Sequence, residues 1–186
     1  NEQYTPVIMD FPLRGEGSPP NTPGARIPSH GTNRFGTRYA YDFLQVDWKR
    51  RGHPSYQTHW LKYLLFGVPL QKCYCWGENV YAPCDGTVVD AKDDHRERSR
   101  AHLISDLYVA VKSAHFYNPR KDHIQSIAGN YIIIKYNEHV YAAFAHLQCG
   151  SIKVIAGQKV KRGEVLGENR TFREFLFSSF AFSSYG

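Results

Sequence analysis

The sequence predicts a mainly β domain, a small antiparallel sheet with inserted helical or irregular segments. Three observations carry this reading. Two apolar runs, Tyr131 to Tyr136 and Val140 to Leu147, flank a short polar break at Asn137-Glu138, the pattern of a β-hairpin. Downstream, Gly157 and Gly163 stand where tight turns need positive φ. Upstream, Val80-Tyr81-Ala82-Pro83 runs into an Asp85-Gly86 turn, and Thr87 to Val89 continues as a strand.

The totals set the bounds. The chain of 186 residues is long enough for one domain with a real core. Hydrophobic residues make up 42% and aromatics 15%, which argues against disorder over most of the chain. No apolar run approaches the length of a membrane span. The net charge is +6, with basic residues scattered apart from Trp48-Lys49-Arg50-Arg51 and the mixed Arg96 to Arg100. A solvated basic face is the expectation, and attraction to a polyanion the alternative. No nucleic-acid-binding motif is present, so no nucleic-acid partner is expected. No signal peptide is recognisable.

In chain order, residues 1–28 hold six prolines and three glycines, which forbids a long helix and favours an extended arm. Tyr4, Val7, Ile8 and Phe11 are the side chains that would pin it. Ser29-His30-Gly31 opens a loop, and Tyr39 to Val46 is a short β-type run containing Asp42. A carboxylate there is costly if buried alone. A loop histidine and a strand aspartate that converge on one point would both be satisfied by a divalent metal. Arg34 and Arg38 offer Asp42 a simpler partner.

Residues 47–71 read as an insertion. Apolar residues at 60, 61, 64 and 65 predict a helix over Thr58 to Phe66, with Thr58 placed to cap it and Gly67 to stop it. A second insertion, 92–126, carries four histidines in no metal-like spacing, read as solvent or packing residues. The four cysteines are Cys73, Cys75, Cys84 and Cys149. The one-residue gap of Cys73-Tyr74-Cys75 does not fit common zinc knuckles. A disulfide from Cys84 to one of that pair and free buried thiols stay equally open.

The hairpin, then Ala145-His146-Leu147, then V-x-x-G-x-x-V-x-x-G-x-x-L-G over Val154 to Gly167, resembles the lysostaphin-type zinc metallopeptidases, which cut peptide cross-links of bacterial cell walls. The Ser29-His30-Gly31 loop with Tyr41-Asp42-Phe43, and the stretch from Val80 to Ala91, are similar to two further motifs of that family. The resemblance covers roughly residues 28–167. It implies a duplicated hybrid β fold, Zn2+ as cofactor with His30 and Asp42 as ligands, and His146 as the catalytic histidine beside the metal. It implies a peptidoglycan peptide as substrate and an extracellular or cell-wall location. A catalytic zinc takes three protein ligands and a water. The family's third ligand comes from a His-x-His pair after the glycine turns, and no histidine follows His146 here.

The domain organisation expected is therefore an arm over 1–28, a metallopeptidase-like domain over 29–167, and an atypical tail over 168–186. A truncated copy is favoured over a genuine relative whose tail completes the sheet differently. On that reading the final core strand is lost, a sheet edge is exposed, and zinc binding and activity are weak or absent. The competing function is a non-catalytic module that binds cell-wall peptide or protein. A biotinyl- or lipoyl-type carrier is disfavoured, because Lys159 and Lys161 lack the setting of a modified hairpin-tip lysine.

Overall fold

A computed structural model describes residues 7–15, 17–21, 40–52, 54–96, 98–102, 108, 124–170 and 175–178. The strands are β1 Gly17–Asn21, β2 Ala40–Gln45, β3 Val68–Pro69, β4 Asn79–Tyr81, β5 Gly86–Lys92, β6 Arg100–Ala101, β7 Asn130–Lys135, β8 Tyr141–Leu147, β9 Lys159–Val160, β10 Val165–Glu168 and β11 Phe175–Ser178. Two short helices, α1 Trp60–Phe66 and α2 Gln125–Ala128, and a 3-10 turn at Leu70–Lys72 complete the described elements. The fold is mainly antiparallel β, as the sequence predicts.

One seven-stranded sheet dominates, in the order β1-β2-β11-β8-β7-β5-β9. β7 lies near its middle, and its first five residues are all buried, which explains why it reads as an unbroken apolar run. The hairpin with β8 forms in the expected place. Asn137 closes it, its Oδ1 accepting from the backbone N–H groups of His139 and Val140 at 2.8 Å each. Phe43, Val80, Val88, Ile132, Ile134, Phe144, Leu147 and Leu166 pack into one core.

The glycine turns are held by charge as well as by conformation. Gly157 and Gly163 have φ of 87° and 80°. Asp85 accepts from the Arg162 N–H at 2.8 Å and from Lys161 Nζ at 3.0 Å, which ties the second turn to the start of β5. These donors hold the Asp85 carboxyl below its ordinary value, the Arg162 backbone bond being the largest cause.

The N-terminal segment is bound to the core rather than loose. The Asp10 N–H donates to Pro83 O, and the Tyr81 N–H to Pro12 O. Phe11 packs edge-on against Phe43 at 4.4 Å, whereas Ile8 is exposed and Tyr4 lies outside the described residues. Residues 17–21 form the edge strand β1, paired to β2 through a register shift that spans Pro19 and Pro20. Proline is tolerated on an edge, where its missing N–H breaks no ladder.

Two details differ from the sequence reading, and one alternative that it leaves open is decided. α1 is capped by His59, whose Nδ1 accepts from the Leu61 N–H, and not by Thr58; Gly67 ends it as expected. No disulfide forms among the four cysteines; Cys73, Cys75 and Cys84 are buried thiols and Cys149 is exposed. The tail does not leave the sheet short. β11 lies between β2 and β8, with Phe175 registered against Tyr41 on one side and Phe144 on the other. Strand pairing needs only extended backbone and compatible side chains, and Phe-Leu-Phe-Ser supplies both.

Candidate functional site

The geometry of interest is where β7 begins and β8 ends. Ile132 is registered with Phe144, but Asn130 with Leu147, so β8 carries one extra residue there. This is a β-bulge, which bends a strand and re-aims a side chain. His146 sits in it with φ of 58°, the one non-glycine residue with positive φ among those described. A left-handed histidine costs roughly 1–2 kcal/mol. The bulge takes His146 out of the alternation and leaves it half-buried between the buried Ala145 and Leu147.

Gly129 forms the floor beneath it, with φ of 64°. A Cβ placed there would meet His146 Nδ1 at 3.8 Å, Arg170 Nη1 at 3.9 Å and His95 Cδ2 at 4.0 Å. Three side chains from distant parts of the chain thus converge over one glycine. Backbone contacts fix them. The Arg170 N–H donates to His146 O at 3.3 Å. The Asn130 side chain, fully buried, accepts from the His95 N–H at 2.8 Å and donates to His95 O at 3.0 Å and Leu147 O at 3.3 Å.

The rim is braced in the same way. Asp93 accepts from the Gly150 and Ile152 N–H groups at 2.8 and 3.0 Å, joining the end of β5 to the loop after β8. Gln125, the first residue of α2, donates to Asp94. That bond is the first cause holding the Asp94 carboxyl below its ordinary value.

His146 stands at the strand end, as the sequence reading has it. Asp42 lies on β2, which is separated from β8 by β11 alone, roughly 10 Å between strand axes. The Asp42 side chain and all of His30 lie outside the described residues. Sequence reasoning missed His95, Arg170 and Asn130. The usable signal was Gly129-Asn130, a glycine that frees space followed by an amide at the head of a buried strand.

The described residues do not make a zinc site. No group of three or more His, Cys, Asp or Glu side chains among them is placed to hold a metal ion. Beside His146 over Gly129 stands the Arg170 guanidinium, which donates and never ligates. What the cluster can do is present an imidazole and a guanidinium to one oxyanion or carboxylate.

No family model matches this chain, and no curated protein sequence does. Among solved structures, a Pseudomonas aeruginosa protein called a peptidase M23 by name alone is similar at 18% identity with a TM-score of 0.40. The likeness covers 93% of this chain and 44% of that one, so the chain spans less than half the length of that protein. A likeness at this level carries no argument about activity.

Proposed function

We propose that the chain is a zinc metallo-endopeptidase-type domain, of the kind that hydrolyses peptide cross-links of bacterial peptidoglycan, impaired in its present form. The observation that carries the reading is His146. A histidine held at positive φ in a bulge, over a glycine floor and beside a guanidinium, is strained backbone at the end of a strand, and such strain clusters at active sites. Its sequence setting, Ala-His-Leu before the glycine turns, supports the family. On this reading His30 and Asp42 hold the metal weakly, His146 works beside it, and the missing third ligand limits both affinity and turnover.

One observation favours a second reading, a non-catalytic module that binds cell-wall peptide. β11 lies between the strand of Asp42 and the strand that leads to His146, and its residues are Phe, Leu, Phe and Ser. None of these ligates zinc.

Zinc content after dialysis against a weak chelator, together with release of soluble peptidoglycan fragments, separates the two. The expected result is well under one zinc per chain, lost in His30→Ala, with slow fragment release. Stoichiometric zinc would show that a third ligand exists, with His115 and His123 the first to test, since His139 lies at the opposite end of the β7–β8 hairpin from His146. No zinc and no release, with peptidoglycan still bound, would establish the binding module instead.

A further inference from the structure

The helix α1 breaks the usual relation between pattern and burial. A helix on a globular domain turns its apolar stripe to the core. Here Trp60, Leu61, Leu64, Leu65 and Phe66 are exposed by 38% to 65%, and no residue of the helix is buried. Tyr63 alone faces inward, against Tyr56 at 4.7 Å and the small cluster of Val68, Cys73 and Cys75.

The helix is nevertheless held in place. The Gly67 N–H donates to Tyr63 O at 3.0 Å. Arg100 donates from Nε to Phe66 O at 2.9 Å and from Nη2 to Gly67 O at 3.2 Å, covering the last carbonyls. The next strand, β3, is paired with β6. A fixed helix that offers five large apolar side chains to water marks a surface built to be covered.

The charge of the sequence around it says by what, and Arg50 Nη1 donates to Tyr56 O at 3.4 Å, beside Tyr63 of the helix. Over residues 47–72, the insertion and the Lys72 that follows it, the chain has five lysines and arginines against one aspartate, a net +4. The aspartate is engaged inward, accepting from Tyr74 Oη at 3.2 Å and the Lys49 N–H at 3.0 Å. Trp48, also exposed, adjoins Lys49-Arg50-Arg51. Tryptophan, leucine and phenylalanine beside a basic flank complement the boundary of acyl chains and anionic headgroups. Indole rings settle at that headgroup level.

We propose that residues 47–72 dock this domain on the surface of an anionic lipid bilayer, with α1 lying in the interface plane. No helix among the described residues is long and apolar enough to span a membrane, so the contact is peripheral. The helix is short, so binding is reversible and leans on the basic residues. The inference is independent of any peptidase activity.

The test is flotation of the full chain with vesicles of phosphatidylglycerol and phosphatidylcholine, against phosphatidylcholine alone, with tryptophan emission followed in parallel. Binding to the anionic vesicles with a blue shift is expected. Replacing Lys49, Arg50 and Arg51 by glutamine should weaken it about 100-fold, a factor of about five per charge. Trp60→Ser or Leu65→Ser should weaken it about tenfold. These side chains are exposed, so unchanged circular dichroism is expected in each variant. No flotation with anionic vesicles at low salt overturns the proposal, as does equal binding to neutral vesicles. A dimer that Leu65→Ser disperses in the absence of vesicles also overturns it, and assigns the stripe to a second copy of the chain.

Discussion

Asn130 shows how much can rest on one polar side chain. It is fully buried and spends its amide on His95 and Leu147, so it joins the start of the second insertion to the end of β8. Asn130→Ala leaves the His95 amide and the Leu147 carbonyl short of partners inside the protein. Chemical denaturation should show a loss of about 2–4 kcal/mol, from several missing bonds rather than one. The thiols give a second prediction. Burial pushes Cys73 up to about 11 and Cys75 up to about 12 from an ordinary value of 9.0. Each therefore holds its proton more tightly in the native chain than in the unfolded one. The stability they contribute is complete below about pH 9 and is lost as the pH climbs through their folded values. Melting temperature measured from pH 8 to 11.5 should fall over that upper range. At pH 8 iodoacetamide should label Cys149 in the native protein, and the other three only after unfolding.

At the scale of elements, the two kinds of glycine in the sheet should respond differently to alanine. Gly157 has positive φ but nothing within 4 Å of an added Cβ. Gly157→Ala should cost about 1 kcal/mol, from backbone conformation alone. Gly86 stands where β5 meets β7, and an added Cβ would lie 2.6 Å from Ile134 Cγ2 and 2.9 Å from Lys135 O. A carbonyl in a strand ladder cannot retreat, so Gly86→Ala should cost about 2–4 kcal/mol and loosen the β5–β7 pairing. Urea midpoints of the two variants would rank them. These elements were legible in the sequence because their signals are local. Asp85-Gly86, Asn137 and the spaced glycines each dictate a turn within a few residues. The position of His146 at a strand end was legible for the same reason. Its neighbours were not. His95 and Arg170 reach the site through pairing between distant segments, and no local pattern records that. The stripe on α1 was legible as a helix but not as an exposed one, since periodicity cannot say whether a face has something to pack against.

At the scale of the molecule, the sheet is divided by its own last strand. β1 and β2 join the rest through β11, which pairs with both β2 and β8. Removing residues 171–186 should free β1 and β2 from the main sheet while leaving β5, β7, β8 and β9 together. Limited proteolysis should then cut the first part of the chain and spare the hairpin, and the urea m-value should fall because less surface is organised. Wild-type resistance in the truncated chain would mean that β2 holds to the core by other contacts, of which Phe43 is the first to examine.

The same division has a consequence for how the protein is made. A ribosome delivers β2 early, and β8 much later, yet neither can complete its pairing until residues 175–178 have cleared the exit tunnel. At ~5–20 residues per second, the N-terminal strands wait for several seconds with unpaired edges. During that interval β2 is open to strands of neighbouring nascent chains, and the yield of folded protein should depend on translation speed and on chaperones that shield such edges.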